Sequence, residues 1–314
     1  MTRYLASRFA GMVIVMLLVA TLVFFITRLA PGDPAAVMLG DQATAADIAK
    51  LRTSYGLDKP LPLQFAYWLG ELVHGNLGQS IFLQRPVTQA LLERAEPTLV
   101  LTLSALLVAI VIGVPSGIVA AAQPGSLWDR TLMLAALLGV CVPGFWLSLN
   151  FIYLFAVRLG WLPAAGYASI FVDPVAALRY MVLPAVSLGF SQSALIARIS
   201  RSCMLEALQQ DYIRTARAKG LSHATVTWVH AFRNALVPVV TVIGITMAIL
   251  IGGAVVTEIV FNIPGLGRLI ISAVLRRDYP VVQGVILVTA TAYVLINLGV
   301  DMLYVFIDPR IRYE

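Results

Sequence analysis

Six separate stretches of this chain, 9–29, 97–122, 131–157, 180–197, 236–260 and 281–307, are apolar over the roughly 20 residues a helix needs to cross a bilayer. No other feature restricts the fold as much. In lipid only helices and closed barrels can satisfy their own backbone groups. None of the six stretches alternates apolar and polar residues over about ten positions, as a barrel strand would. The expectation is an all-α integral membrane protein with six transmembrane helices. Composition agrees: 60% of the residues are hydrophobic and 12% charged, against about 25% charged in a soluble chain. So few charges cannot coat a water-soluble globule, and so apolar a chain is neither disordered nor collagen-like. Cys141 and Cys203 read as single thiols rather than a disulfide framework.

The first stretch follows Arg3 and Arg8, as a secretory signal would. Its apolar core is longer than a signal's apolar region and no small-x-small cleavage site follows, so it reads as an uncleaved first helix. The net charge of +6 does not indicate nucleic acid, because the bases lie between apolar stretches instead of on one solvated face. They act as orientation signals. With the N-terminus inside, 11 of the 22 Lys and Arg fall on the cytoplasmic side, and 11, counting Arg28, on the outer side. Five of the outer bases lie in the segment 30–96, and loops beyond about 60 residues cross largely regardless of charge. Eleven against six then remain, which places both termini in the cytoplasm.

Between the stretches, 31–96 combines a turn (Pro31-Gly32-Asp33-Pro34) with a predicted helix near 45–55 and the aromatics Tyr67 and Trp68; it reads as an extracytoplasmic segment. Leu266, Leu269, Ile270, Ala273 and Val274 have helical spacing beside Arg268, Arg276 and Arg277, which suits a helix lying in the membrane interface. Ala105, Ala109, Gly113, Gly117 and Ala121 recur every four residues, a small-residue stripe for close helix approach within the chain or with a partner. Gly244 and Gly252 share a face of the fifth stretch, and Pro143-Gly144 interrupts the third.

Enzyme chemistry is missing from the pattern. The three histidines, His74, His223 and His230, lie outside the apolar stretches, and no His/Cys/acid cluster has metal-ligand spacing. A nucleotide-binding P-loop needs Gly-Lys before Ser or Thr, and none of Lys50, Lys59 and Lys219 follows a glycine. The chain is therefore expected to bind no cofactor itself. Asp301 is the one acid well inside a stretch and reads either as a pathway group or as a structural one. Asn150, Ser191, Gln192 and Asn297 are candidate pathway residues that could equally bond between helices.

The most informative stretch is the basic loop 198–233. Met204, Leu205, Leu208, Tyr212, Ile213 and Ala216 fall at helical spacing, Gly220 stands where a helix C-cap belongs, and Ser222 can cap a second short helix. A loop binding anionic lipid would share that composition. The motif Asp211-Tyr-Ile-Arg-Thr-Ala-Arg-Ala-Lys-Gly220, followed by Arg233-Asn-Ala-Leu-Val-Pro238, resembles the coupling loop of ABC importer permeases of the dipeptide, oligopeptide and nickel branch. Arg214 and Thr215 replace the Glu and first Ala of the broader family's motif, as that branch does. The resemblance extends to Arg28-Leu-Ala-Pro-Gly-Asp-Pro-Ala35, Tyr55-Gly-Leu-Asp-Lys-Pro60, Gly75-Asn-Leu-Gly78 and Leu159-Gly-Trp-Leu-Pro163. It continues through Thr257-Glu-Ile-Val-Phe-Asn-Ile-Pro-Gly-Leu-Gly267 to the terminal Asp308-Pro-Arg-Ile-Arg-Tyr313.

The resemblance implies a type I ABC importer permease fold. It divides the chain into a first helix (1–30), an extracytoplasmic segment (31–96), a permease domain (97–307) and a cytoplasmic tail (308–314). It also implies a second homologous permease, two ATP-binding subunits that hold ATP and Mg, an extracytoplasmic solute-binding protein, and peptides as cargo, with glutathione or nickel as alternatives. Asp211, Tyr212, Arg214, Thr215, Ala216, Arg217, Ala218, Lys219 and Gly220 become the ATPase-coupling residues. A secondary transporter or channel is the competing reading, and an intramembrane enzyme the third.

Overall fold

The structure, a computed structural model, describes residues 2–29, 44–54 and 58–307. The turn at 31–34, the motif residues 30–35 and 55–57, and the tail 308–314 lie outside them. Among the described residues every regular element is helical, apart from one isolated bridge between Gln79 and Pro86. The helices are α1 (Thr2–Leu29), α2 (Ala45–Ser54), α3 (Leu61–Val73), α4 (Val87–Ala122), α5 (Leu127–Cys141) and α6 (Gly144–Arg158). They continue with α7 (Pro174–Leu208), α8 (Asp211–Ala218), α9 (His223–Val260), α10 (Leu266–Leu275) and α11 (Tyr279–Ile307). The last turns of α6, Ile152–Arg158, and an early part of α9, Val226–Ala231, are wound as π-helix.

Five helices are long and apolar enough to cross a membrane, and six if the α5–α6 pair is one span. The six expected stretches are all helical. The third is corrected in shape: it is two arms bent by 102° at Val142-Pro143. Pro143 cannot donate to the preceding turn, and its neighbour leaves the helical region, with Val142 at ψ 124°. The loop 198–233 is also corrected. Residues 198–208 are not a loop but the end of α7, because Met204 and Ala207 continue its buried face past the apolar stretch. What remains outside α7 and α9 is the short α8 and its two turns.

The chain divides into two compact units, Met1–Ala95 with Arg268–Val294, and Glu96–Gly267 with Leu295–Glu314. In the first, α1 buries Phe24 completely against Phe65 and Trp68 of α3, with ring centroids 5.2 and 5.4 Å away. Its other faces expose Phe9, Ile14 and Leu18, as a lipid-facing helix would. The Gln283 side chain donates to Thr27 Oγ1 over 2.7 Å. A hairpin-like turn, held by Ser80 N donating to Arg85 O and Val87 N donating to Gly78 O, wraps around the buried carboxylate of Asp278. That carboxylate accepts from Ser80 Oγ, Ile81 N and Phe82 N.

In the second unit α7 is the central element, with α5, α6 and α9 packed on it. The predicted small-residue stripe makes the closest approach. A Cβ on Gly113 would lie 2.7 Å from the Ser193 carbonyl oxygen, and one on Gly117 would lie 2.6 Å from that of Ala197. From the α7 side, a Cβ on Gly189 would meet the Ala105 carbonyl oxygen. With Ala105, Ala109 and Ala121 buried as well, the stripe serves packing inside the chain. Of the other expected pair, Gly244 sits against Val300 while Gly252 has open space around it, so the two do not share a contact.

Near one end of α7, Arg201 grips the buried Asp129 of α5 with two hydrogen bonds of 2.6 and 2.8 Å. Near the other end of the unit, buried Glu258 accepts from Thr98 Oγ1, which itself accepts from Leu266 N, so one hydroxyl links α4, α9 and α10.

Candidate functional site

The nine residues singled out for coupling form one short helix and its C-terminal turn. Gln210 precedes α8 in an extended conformation, and Asp211 stands in the first turn, where a negative charge suits the exposed N–H groups. The helix buries only two side chains, Ile213 and Ala216, spaced one turn apart. Both enter a core formed by Ile118 and Ala121 of α4, Met204 and Ala207 of α7, and Val226, Ala231 and Ala235 of α9. Ala216 is thus an anchor facing inward.

The opposite face is charged. Arg214, Thr215, Arg217, Ala218, Lys219 and Gly220 are all exposed. Arg214 reaches Asp211 over 3.3 Å, but both side chains are at least 80% exposed, so this pair contributes little to stability and leaves both charges available. Thr215 Oγ1 donates to the Asp211 carbonyl oxygen.

The end of α8 is defined by hydrogen bonds. Gly220 N donates to Arg217 O over 2.9 Å and Leu221 N to Ala216 O over 3.4 Å, the two bonds of a Schellman cap. This cap requires a left-handed residue, and Gly220 has φ +78°. Ser222 then accepts from Thr225 N and starts α9. The capping pattern read from the sequence is present at both positions.

A feature the sequence reading missed lies beside α8. Cys203, Glu206, Ala207 and Gln210 at the end of α7, Tyr212 of α8, and Asn234, Ala235 and Pro238 of α9 line a cleft of about 350 Å³. Burial in the cleft pushes the Tyr212 phenol above its ordinary value, and the nearby Asn234 offsets only part of that shift, so the phenol stays neutral. Asn234 and Pro238 belong to the motif quoted above, but a motif does not tell that its polar member closes a cleft with Tyr212.

The four pathway candidates are not brought together. Asn150 Nδ2 donates to Trp146 O, and Ser191 Oγ donates to Ser187 O, each within its own helix. Gln192 is half-buried and Asn297 exposed, and none of the four bonds to another. Asp301 is half-buried and has interactions of its own. Among the described residues no group of His, Cys, Asp or Glu could hold a metal ion.

The long apolar helices thus present one short, basic helix on a buried anchor. The comparisons with known proteins give the chain its family. Residues 113–313 match the binding-protein-dependent transport system inner membrane component, and residues 1–102 match the N-terminal part described for the same systems. The chain belongs to this family of ABC importer permeases and is a multi-pass inner membrane protein.

A relative from Brucella abortus, named as a peptide transport system permease protein, is 47% identical over the full length of both chains. Another from Pectobacterium atrosepticum, named glutathione transport system permease protein GsiC, is 43% identical, again over both full lengths. Among solved structures, an inward-facing form of the methionine ABC transporter MetNI superposes with a TM-score of 0.58 at 20% identity. That superposition covers 70% of this chain and 97% of the other, and it shows the type I fold.

Proposed function

We propose that this chain is one of two permeases lining the path of an ATP-driven peptide importer, with both termini in the cytoplasm. Its partners in this reading are a second, similar permease, two cytoplasmic ATPases that hold ATP and Mg, and an extracytoplasmic binding protein that delivers the cargo. The observation that carries it is the two-sided construction of α8. Ile213 and Ala216 fix the helix to α4, α7 and α9, while Arg214, Arg217 and Lys219 are exposed to an acidic groove on an ATPase.

A force applied to the outer face of α8 is delivered through that core to three long helices at once. ATP binding closes the ATPases, α8 moves with them, and the path between the permeases changes the side to which it opens. The energetic requirement is that nucleotide and loaded binding protein prefer different conformations. Peptide cargo is supported by the name of the Brucella relative, and glutathione, itself a tripeptide, is the second reading, supported by the Pectobacterium one.

The test is uptake by the whole complex in proteoliposomes. Labelled dipeptide should enter only with ATP and binding protein, and replacing the P-loop lysine of the ATPases should reduce entry to background. Entry that survives that replacement and collapses with a protonophore would overturn the ATP-driven reading. Entry of glutathione without competition from dipeptides would select the second cargo.

A further inference from the structure

A cavity of about 190 Å³ in the first unit is lined by arginines from two elements. Arg268 and Ser272 of α10 and Arg276, the residue that follows its last turn, are spaced at i, i+4 and i+8, and therefore aligned along one side. Arg94 of α4 faces the same space. Among the described residues the one acid in the lining is Asp278, whose two oxygens accept from Ser80, Ile81 and Phe82. Three arginines therefore line one small space.

Arg276 is the informative member. Its guanidinium lies 3.5 Å from the centroid of the Phe82 ring and makes no ion pair among the described residues. Stacking satisfies the flat face of the group and leaves its in-plane N–H donors to find acceptors. Arg94 and Arg268 are held by interactions of their own. The volume equals that of about six waters, room for a tetrahedral oxyanion. The rest of the lining includes the apolar Leu83, Leu269 and Val281.

Exposed apolar residues flank the arginine side of α10. Ile271, Val274 and Leu275 are exposed by 40, 54 and 79%, while Leu266, Leu269 and Ala273 are buried against the protein. Leu275 lies within about 20° of Arg268 around the helix, so apolar and basic groups share one exposed side. In a membrane protein a short helix with that mixed side lies in the interface, where its arginines reach anionic headgroups.

We infer that this cavity binds a phosphate group, either in the headgroup of an anionic lipid or as free phosphate, held by Arg276 beside Arg268 of α10 and Arg94 of α4. Ser272, between Arg268 and Arg276, donates its hydroxyl to the Arg268 carbonyl oxygen over 2.9 Å and adds no charge of its own. Nothing in the importer reading requires the site, and the two can fail separately.

The experiment uses the complete importer in nanodiscs. Discs of phosphatidylcholine, discs with phosphatidylglycerol added, and phosphatidylcholine discs with inorganic phosphate are compared by thermal unfolding and by native mass spectrometry of retained lipid. Wild type should retain phosphatidylglycerol and unfold at a higher temperature in its presence. Arg276→Gln and Ser272→Asp should each weaken retention roughly tenfold, Arg276→Lys less, and Arg179→Gln, an exposed arginine outside the cavity, should change nothing. All variants should unfold like wild type in plain phosphatidylcholine. If Arg276→Gln fails that check, Ser272→Asp carries the test. Stabilisation by inorganic phosphate alone, lost in Arg276→Gln, would identify free phosphate as the ligand. Equal retention and equal unfolding in wild type and in the cavity variants, with either probe, would overturn the site.

Discussion

At residue scale the decisive position is Gly220. No atom lies within 4 Å of where its Cβ would stand, so a side chain there would meet no steric obstacle. The cost of a substitution is purely conformational: at φ +78° an L-residue loses roughly 1 kcal/mol or more, and a branched one more still. The Schellman bonds depend on that φ, so the strained variants release the end of α8 and misdirect Arg217 and Lys219. Gly220→Val should impair ATPase co-purification most, Gly220→Ala less, and Gly220→Asn least, since asparagine tolerates the left-handed region. The permease pair should still assemble in all three. An equal loss in Val and Asn variants would mean that something other than backbone conformation is at stake. The same scale shows where sequence reasoning reached its limit. The glycine cap follows from spacing and chemistry, whereas the inward orientation of Ala216 depends on Ile118 and Met204, which lie far away in sequence.

At the scale of elements, the seam between α4 and α7 is built on missing side chains. Overpacking a close-packed contact costs roughly 1–3 kcal/mol, and at Gly117 the obstacles include the Ala197 carbonyl and the Arg201 backbone nitrogen, which cannot rotate away. Gly117→Ala should therefore lower the unfolding temperature of the complex, while Gly252→Ala, in open space, should leave it unchanged or raise it slightly. A harmless Gly117→Ala would contradict the close approach. The small-residue stripe was legible because a period of four on a helix survives in any context. The 102° bend was legible only as an interruption, since Pro143-Gly144 marks where a helix stops but not the direction in which the next one starts. The end of α7 was misread because residues 198–208 are polar on one face, and polarity near a span end looks like a loop until the buried Met204 and Ala207 are seen.

At the scale of the whole molecule, the six spans and the family were readable from composition, charge and motifs, because lipid imposes length and polarity limits that a soluble fold does not. The cleft beside Tyr212 and the arginine cavity were not, since each gathers residues from segments far apart in the chain. Orientation is the remaining expectation, and it has a direct check. In a Cys141→Ser, Cys203→Ser background, a cysteine at exposed Lys50 should react with an impermeant thiol reagent in intact spheroplasts, and one at exposed His223 should react only after permeabilisation. The opposite pattern would invert the topology.

The length of α7 has a mechanical consequence. Its 35 residues extend about 52 Å, well beyond the roughly 30 Å of hydrocarbon in a bilayer. Its close contacts with α4 run from Gly189 through Ser193 and Ala197 to Ser200 and Arg201, and Met204 and Ala207 continue them in the core that Ile213 and Ala216 enter. A beam held along so much of its length cannot pivot about one point, and α4 must travel with it. The end of α7 is two residues away from α8, so a push there would shift the α4–α7 pair as one piece.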